Sequence, residues 1–339
     1  MKINKLFIYI TALSLTALQF VSCNDDDNNV DNFTVDKENI HMLIGNKELI
    51  TVNGLPSNNV ASSAFEWTSS DEGIATVTQF GVVTGVEEGE ADITITYNGQ
   101  LTKKVHIVVT DPIVVPAKVG SWLFDDASNI LKASVGNDLQ IGANNENPSL
   151  ADFVSVSGPQ YKEGNMAVRI KKGYYFLVDH GIQPKNGELT VNEYTVAIDF
   201  KVDALNTWYT FLQMDPTNKR DADVFINKSG KVGVGSPGYS DDVVIKPGQW
   251  QRLIASFKMG ENGWVKYFID GTEIFSKTEM MKEDLPRDNS RFCMTPLFIL
   301  FGDNDGDDGL MDVAEVALWD VALDVNQAKK ADRLMSKSN

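Results

Sequence analysis

Cysteine, histidine and basic charge are all scarce in this sequence, and each shortage excludes something. Of 339 residues only two are cysteine, Cys23 and Cys293. The second, in Arg291-Phe-Cys-Met-Thr295, reads as a small buried core residue rather than a nucleophile. The three histidines, His41, His106 and His180, lack the spacing of a metal-ligand set. His180 lies in Val178-Asp-His-Gly181 without a Gly-x-Ser-x-Gly elbow; a Ser-His-Asp arrangement stays open on sequence alone. No glycine-rich phosphate-cradling loop is present. Thirty lysines and arginines stand against 47 aspartates and glutamates, for a net charge of −17 and a pI near 4.6. That balance argues against holding a nucleic-acid backbone or anionic lipid by charge, and is compatible with neutral sugars and Ca²⁺. Hydrophobic residues make up 42% and charged residues 23%, enough for ordinary cores and not a disordered composition.

Long hydrophobic runs are also missing, except at the start. Met1–Lys5 is basic, Leu6–Phe20 is apolar, and Val21-Ser22-Cys23 leads into Asn24-Asp25-Asp26-Asp27. A basic n-region, a short apolar h-region and a small residue before the cut describe a secretory signal. The run falls short of the ~20 apolar residues of a membrane span and has no stop-transfer flank. With a cysteine at the cut, residues 1–23 resemble a bacterial lipoprotein signal, although Phe20 stands where leucine is usual. The resemblance implies a mature chain beginning at a lipidated Cys23, anchored in the outer membrane. Lipidation would leave Cys293 alone, so no disulfide is expected within one chain. The acidic run that follows resembles a surface-export tag of glycan-foraging bacteria, and reads more plainly as a solvated spacer. Residues 24–32 are a tether.

Beyond the tether come short strand-like runs. Ile40–Ile44, Glu48–Val52, Ala64–Thr68, Ile74–Val77 and Gly81–Thr84 are candidates, and Ala91–Tyr97 alternates apolar and polar residues strictly. Asn98-Gly99 is a hairpin signal, because both turn positions accept φ > 0. About seven short strands in this span argue for a β-sandwich. Phe65-Glu-Trp-Thr-Ser-Ser-Asp71, Ile74-Ala-Thr-Val77, Gly81-Val-Val-Thr-Gly85 and Gly89-Glu-Ala-Asp-Ile-Thr-Ile95 resemble bacterial immunoglobulin-like group 2 domains over 33–110. The resemblance implies a spacer or adhesive module with Trp67 in its core. Residues 111–116, with two prolines and no periodicity, read as a linker.

The region 117–334 has clearer strands. Tyr194, Val196, Ile198, Phe200 and Val202 form one face, opposite Thr195, Asp199 and Lys201. Trp250–Met259, Trp264–Asp270 and Thr272–Ser276 are further strands, the last two joined at Asp270-Gly271. Pro296–Phe301 is nearly continuous apolar, as a central strand covered on both faces would be. Only Val325–Leu334 reads as helix, behind a capping-box pair Asp324 and Gln327. The fold class expected is all-β: an immunoglobulin-like sandwich, then a jelly roll of twelve to fourteen strands with a short C-terminal helix. Gly120-Ser-Trp-Leu-Phe-Asp-Asp126, Glu193–Phe200, Gly248–Leu253, Tyr267–Gly271 and Val313–Leu323 resemble laminin G-like, concanavalin A-like domains. Thr207–Asn218, Asp221–Asn227, Arg291-Phe292 and Phe301–Asp307 are similar to a subset appended to secreted hydrolases and phosphoesterases.

The acidic stretch Asp303-Asn-Asp-Gly-Asp-Asp308 is the outstanding local feature. Asp303, Asp305 and Asp307 can converge on a hard cation where Gly306 permits a turn; a solvated acidic tip fits as well. An EF-hand is excluded, since its sixth position would be Asp308 and its twelfth Ala314. The laminin G resemblance implies a structural Ca²⁺ on Asp125 or Asp126 together with Asp312. For a sugar, exposed aromatics flanked by amides and carboxylates are wanted. Trp208 and Tyr239 are aromatic candidates, with Tyr174, Tyr175, Tyr209 and Trp264 also available; at most one of Trp208 and Tyr209 can face a ligand. Gln213, Asn218, Asp223 and Asn227 either line a binding surface or satisfy turn backbone. The fold also carries family 16 glycoside hydrolases, but their Glu-x-Asp-x-x-Glu strand is absent and Asp312-Val-Ala-Glu315 lacks the paired glutamates. The expectation is a non-catalytic surface lipoprotein binding a glycan through Trp208, Gln213, Asn218, Asp223 and Tyr239. An adhesin holding a protein partner is the alternative, and a surface transporter a further partner.

Overall fold

The computed structural model describes residues 32–54, 64–160, 164–185, 187–278 and 291–331. The signal and Cys23, nearly all of the tether, and the end of the expected helix lie outside the described residues. The chain divides into two compact units, Met1–Pro112 and Ile113–Asn339. Among the described residues, no helix is long and apolar enough to cross a membrane.

The first unit is an immunoglobulin-like sandwich. A four-stranded sheet runs Asn39–Leu43, Leu101–Thr110, Gly89–Tyr97, Phe65–Ser69, and a three-stranded sheet runs Lys47–Leu49, Val82–Gly85, Ala75–Val77. Alternation decides what is buried: Ile93, Ile95, Val105 and Ile107 are fully buried, with polar residues between them facing out. Asn98 and Gly99 both adopt positive φ, 47° and 69°, and Gln100 N closes the turn on Tyr97 O at 3.0 Å. Trp67 is half-buried against this core. Its indole lies over Gly81, where a Cβ would come within 2.8 Å of the ring.

The second unit is a larger sandwich. One sheet contains Val154–Ser157, Met166–Ile170, Met311–Trp319, Glu193–Lys201, Gln251–Lys258, Trp264–Ile269 and Thr272–Thr278 in that order, with Gly120–Trp122 also pairing to Met311–Trp319. The other has seven strands: Gln140–Ala143, Tyr174–Asp179, Leu297–Leu300, Tyr209–Gln213, Val224–Ile226, Val232–Val234 and Gly238–Tyr239. Phe176, Val178, Phe200, Phe211, Leu212, Phe257 and Leu300 pack between the sheets. Asp270 and Gly271 make the expected two-residue hairpin, with φ of 48° and 72° and Ile269 opposite Thr272. Asp324 and Gln327 form the reciprocal cap of the helix Val325–Lys330, at 2.9 and 3.1 Å. Cys293 is buried, 7% exposed.

The face that carries Thr195 and Asp199 is buried rather than wet, because chain ends of the unit cover it. Leu323 N donates to Thr195 Oγ1, which donates in turn to Val321 O. Trp319 Nε1 donates to Pro116 O at 2.9 Å, and Gln327 Nε2 to Val114 O at 3.0 Å. Val114 and Pro116, expected in the linker, thus bond to the second unit. Beneath them Arg252, fully buried, donates to Asp199 at 2.6 Å and to Glu315 at 3.0 Å. The register explains the contact, since Asp199 lies directly between Arg252 and Glu315 across three strands.

Candidate functional site

The seven-stranded sheet has one face in the sandwich core, and its other, outer face carries the candidate site. Phe176 and Val178 point into the core, so Tyr175 and Leu177 point outward. Tyr175 is half-buried. Its ring lies across Gly142 on the neighbouring strand, where any Cβ would overlap it, and beside Gly302, where a Cβ would approach within 2.7 Å. Two glycines thus hold one tyrosine flat against the sheet.

A second aromatic group occupies the far side of the same face. Phe225 stands opposite Thr210 and Gly233, and Gly233 stands opposite Tyr239. Trp208 meets Phe225 edge-on at 5.7 Å between ring centroids, and Tyr239 at 6.1 Å. Trp208 and Tyr239 are half-buried, whereas Phe225 is covered. A bulge at Phe211 makes the placement possible. It turns Phe211 onto Phe200 in the core, while Thr210 before it and Gln213 after it stay on the outer face.

Between the two aromatic groups runs the acidic loop 301–309. Phe301, with φ of 70°, starts it; Thr210 Oγ1 donates to Asp307 O at 3.1 Å, and Gly309 N to Trp208 O at 2.8 Å. Three amides from three segments anchor its first residues. Gln213 Nε2 donates to Asn218 Oδ1 (2.8 Å) and Gly302 O (3.2 Å), Asn218 Nδ2 to Asn144 Oδ1 (2.6 Å), and Asn144 Nδ2 to Asp303 O (2.8 Å). Asp303 accepts from Ala222 N at 2.7 Å, and Asp308 from Gly173 N at 2.9 Å. Burial pushes Asp303 up to about 6, reinforced by the Asp305 carboxylate beside it, and burial alone pushes Asp308 up to about 6. Gln213 Oε1 and Asp308 Oδ1 are buried acceptors with no hydrogen-bond partner among the described residues.

Of the residues expected to bind a ligand, Trp208 and Tyr239 are brought together, and Gln213 and Asn218 are hydrogen-bonded to each other. Asp223 is apart from both pairs. It is buried, accepts from Met214 N at 2.6 Å and faces Arg291 at 3.7 Å; burial pushes it up to about 7. Asp223 therefore holds the interior, and Gln213, equally covered, holds the loop. The acidic set does not converge. Asp312 is on the other sheet, paired through both oxygens with Arg169 at 2.6 and 2.8 Å and with Lys201 at 3.1 Å. Asp125 accepts from Met166 N at 3.4 Å. Among the described residues no three His, Cys, Asp or Glu side chains are placed together to hold a metal. His180 is occupied at both ring nitrogens: Nε2 bonds Thr295 O at 2.6 Å and Nδ1 accepts from Ile182 N at 3.0 Å. That leaves it no nitrogen for a catalytic base. Tyr175, one of several available aromatics on sequence alone, is singled out by Gly142 and Gly302, which are far apart in sequence and meet only in the fold.

Residues 29–109 match the bacterial Ig-like domain (group 2). Among solved structures, domain 4 of the GH43 extracellular arabinanase of Geobacillus stearothermophilus, in complex with arabinotriose, is 23% identical. It covers 64% of this chain and 98% of that one, with a TM-score of 0.41. The botulinum neurotoxin type G receptor binding domain is 8% identical, covering 65% and 52%, with a TM-score of 0.42. The binding domain of Paraclostridial Mosquitocidal Protein 1 is 13% identical, covering 66% and 53%, with a TM-score of 0.44. The chain spans about half the length of these two toxin domains. No curated protein matches the sequence.

Proposed function

We propose that the protein is a non-catalytic surface lipoprotein. Cys23 anchors it in the outer membrane, the immunoglobulin-like unit is a spacer, and the second, laminin G-like unit binds carbohydrate on the outer face of its seven-stranded sheet. One observation carries this reading: Tyr175 and the Trp208–Tyr239 pair share that face, with a loop of carboxylates and amides between them. Aromatic faces take the C–H side of a sugar ring, and the polar loop takes hydroxyls. Asp303 and Asp308 of the loop are engaged with backbone amides, which supports a structural role for these two acids rather than a catalytic one. Affinity electrophoresis through gels containing neutral polysaccharides tests the reading. Retardation is expected for the native protein, and Trp208→Ala is expected to abolish it. Equal migration of both proteins in every gel favours the competing reading, an adhesive module holding a protein partner.

A further inference from the structure

A groove of about 570 Å³ lies at the opposite end of the strand Tyr174–Asp179 from Tyr175. Its volume falls within the ~300–1,000 Å³ range of small-ligand sites. The walls are held before any ligand arrives. Gly136, with φ of 85°, sits where a Cβ would come within 2.8 Å of Val119 O, so the 136–137 segment lies tight on the 119 wall. Trp122 Nε1 donates to Asn137 O at 3.0 Å, and Asn137 Nδ2 to Asp179 O at 3.2 Å. His180, bonded through both nitrogens, fixes the turn that carries Gln183 and Lys185. Lys185 Nζ donates to the main-chain oxygen of Asp320.

The groups left over define the ligand. Asn137 Oδ1 and Gln183 Oε1 accept, Lys185 keeps further N–H donors, and the Asp320 carboxylate accepts. The formal charges of Lys185 and Asp320 cancel, and His180 accepts the Ile182 N–H at Nδ1, a bond that only the neutral ring makes, so the groove carries no net charge in a strongly acidic protein. Ile182 and Pro184 supply an apolar side. Donors and acceptors without net charge, beside an apolar wall, match a polyhydroxylated neutral molecule rather than an ion. We propose that this groove is a second carbohydrate subsite, taking the end of a neutral oligosaccharide; the inference rests on the carbohydrate reading of the outer face.

The test is two-dimensional NMR of the whole ¹⁵N-labelled protein titrated with maltotriose, xylotriose, arabinotriose, mannotriose and chitotriose. At least one trisaccharide is expected to shift the Asn137 and Gln183 side-chain amides saturably. Lys185→Met and the milder, exposed Gln183→Ala should each weaken that titration at least tenfold, and Trp208→Ala should leave it unchanged. Shifts confined to the surroundings of Tyr175 and Trp208 would overturn the groove and leave the outer face standing. Shifts confined to the groove would support it and remove the outer face. No shift with any trisaccharide at millimolar concentration overturns both.

Discussion

Arg252 shows how much a single side chain can depend on two others. Its guanidinium is fully buried, held by Asp199 and Glu315, and Lys118 reaches Glu315 from the covering segment at 2.7 Å. Removing one partner leaves buried charge uncompensated, so Asp199→Ala is expected to cost about 3–5 kcal/mol in urea unfolding. A loss below ~1 kcal/mol, the worth of an exposed pair, would mean that water reaches the site. Asp223 makes the opposite kind of prediction. Its folded-state pKa, about 7, lies above the ordinary 3.8, because burial outweighs Met214 N, Arg291 and Arg220, with Asp215 adding to the rise. The folded chain thus holds a proton the unfolded chain releases, and stability is present below pH 4 and lost as pH rises through 7. Melting temperature should fall between pH 5 and pH 8, and Asp223→Asn should flatten that slope; an unchanged slope would assign it to other groups. These roles were only half legible. Alternation placed Asp199 opposite the apolar row correctly, but the wet face it implied is covered by chain from both ends of the unit. Gln213 and Asp223 stood in a stretch rich in turn residues, where sequence does not separate a surface amide from a buried one.

At the scale of elements, hairpins and caps were legible because their signals are local. Asn98-Gly99, Asp270-Gly271 and the Asp324–Gln327 cap each need only neighbouring residues, and each forms as expected. The outer face was not legible, since it joins strands from residues 140–143, 174–179, 209–213 and 297–300. Trp208 and Tyr239 were named one by one, and their contact depends on three intervening pairings. Gly142 makes the face testable. Gly142→Ala would push the Tyr175 ring off the sheet, and is expected to destabilise the protein by about 1–3 kcal/mol while weakening sugar binding. Unchanged binding in a folded Gly142→Ala protein would remove Tyr175 from the site. Calcium at the acidic loop is a proposal to be tested in the same way. Asp303 lies beside Asp305, two carboxylates of the kind calcium accepts, although among the described residues no third acidic or histidine side chain joins them as a metal set. The expected result is a melting temperature higher in millimolar calcium than in chelator, with the difference gone in Asp303→Asn. Equal melting in both conditions excludes calcium from the loop.

For the whole molecule, the proposal is a division of labour along the chain: anchor, spacer, binding head. The anchor is tested by Cys23→Ala, which should move the protein from the membrane fraction to the soluble one; retention in the membrane would point to a spanning segment instead. The head is proposed to bind a neutral glycan on the outer face of its seven-stranded sheet. A glycan array probed with the native protein and with a Tyr175→Ala/Trp208→Ala variant of unchanged melting temperature tests it most directly. Binding to a set of neutral glycans is expected, weakened at least tenfold in the variant. Equal binding by both proteins, or no glycan bound by either, would contradict it.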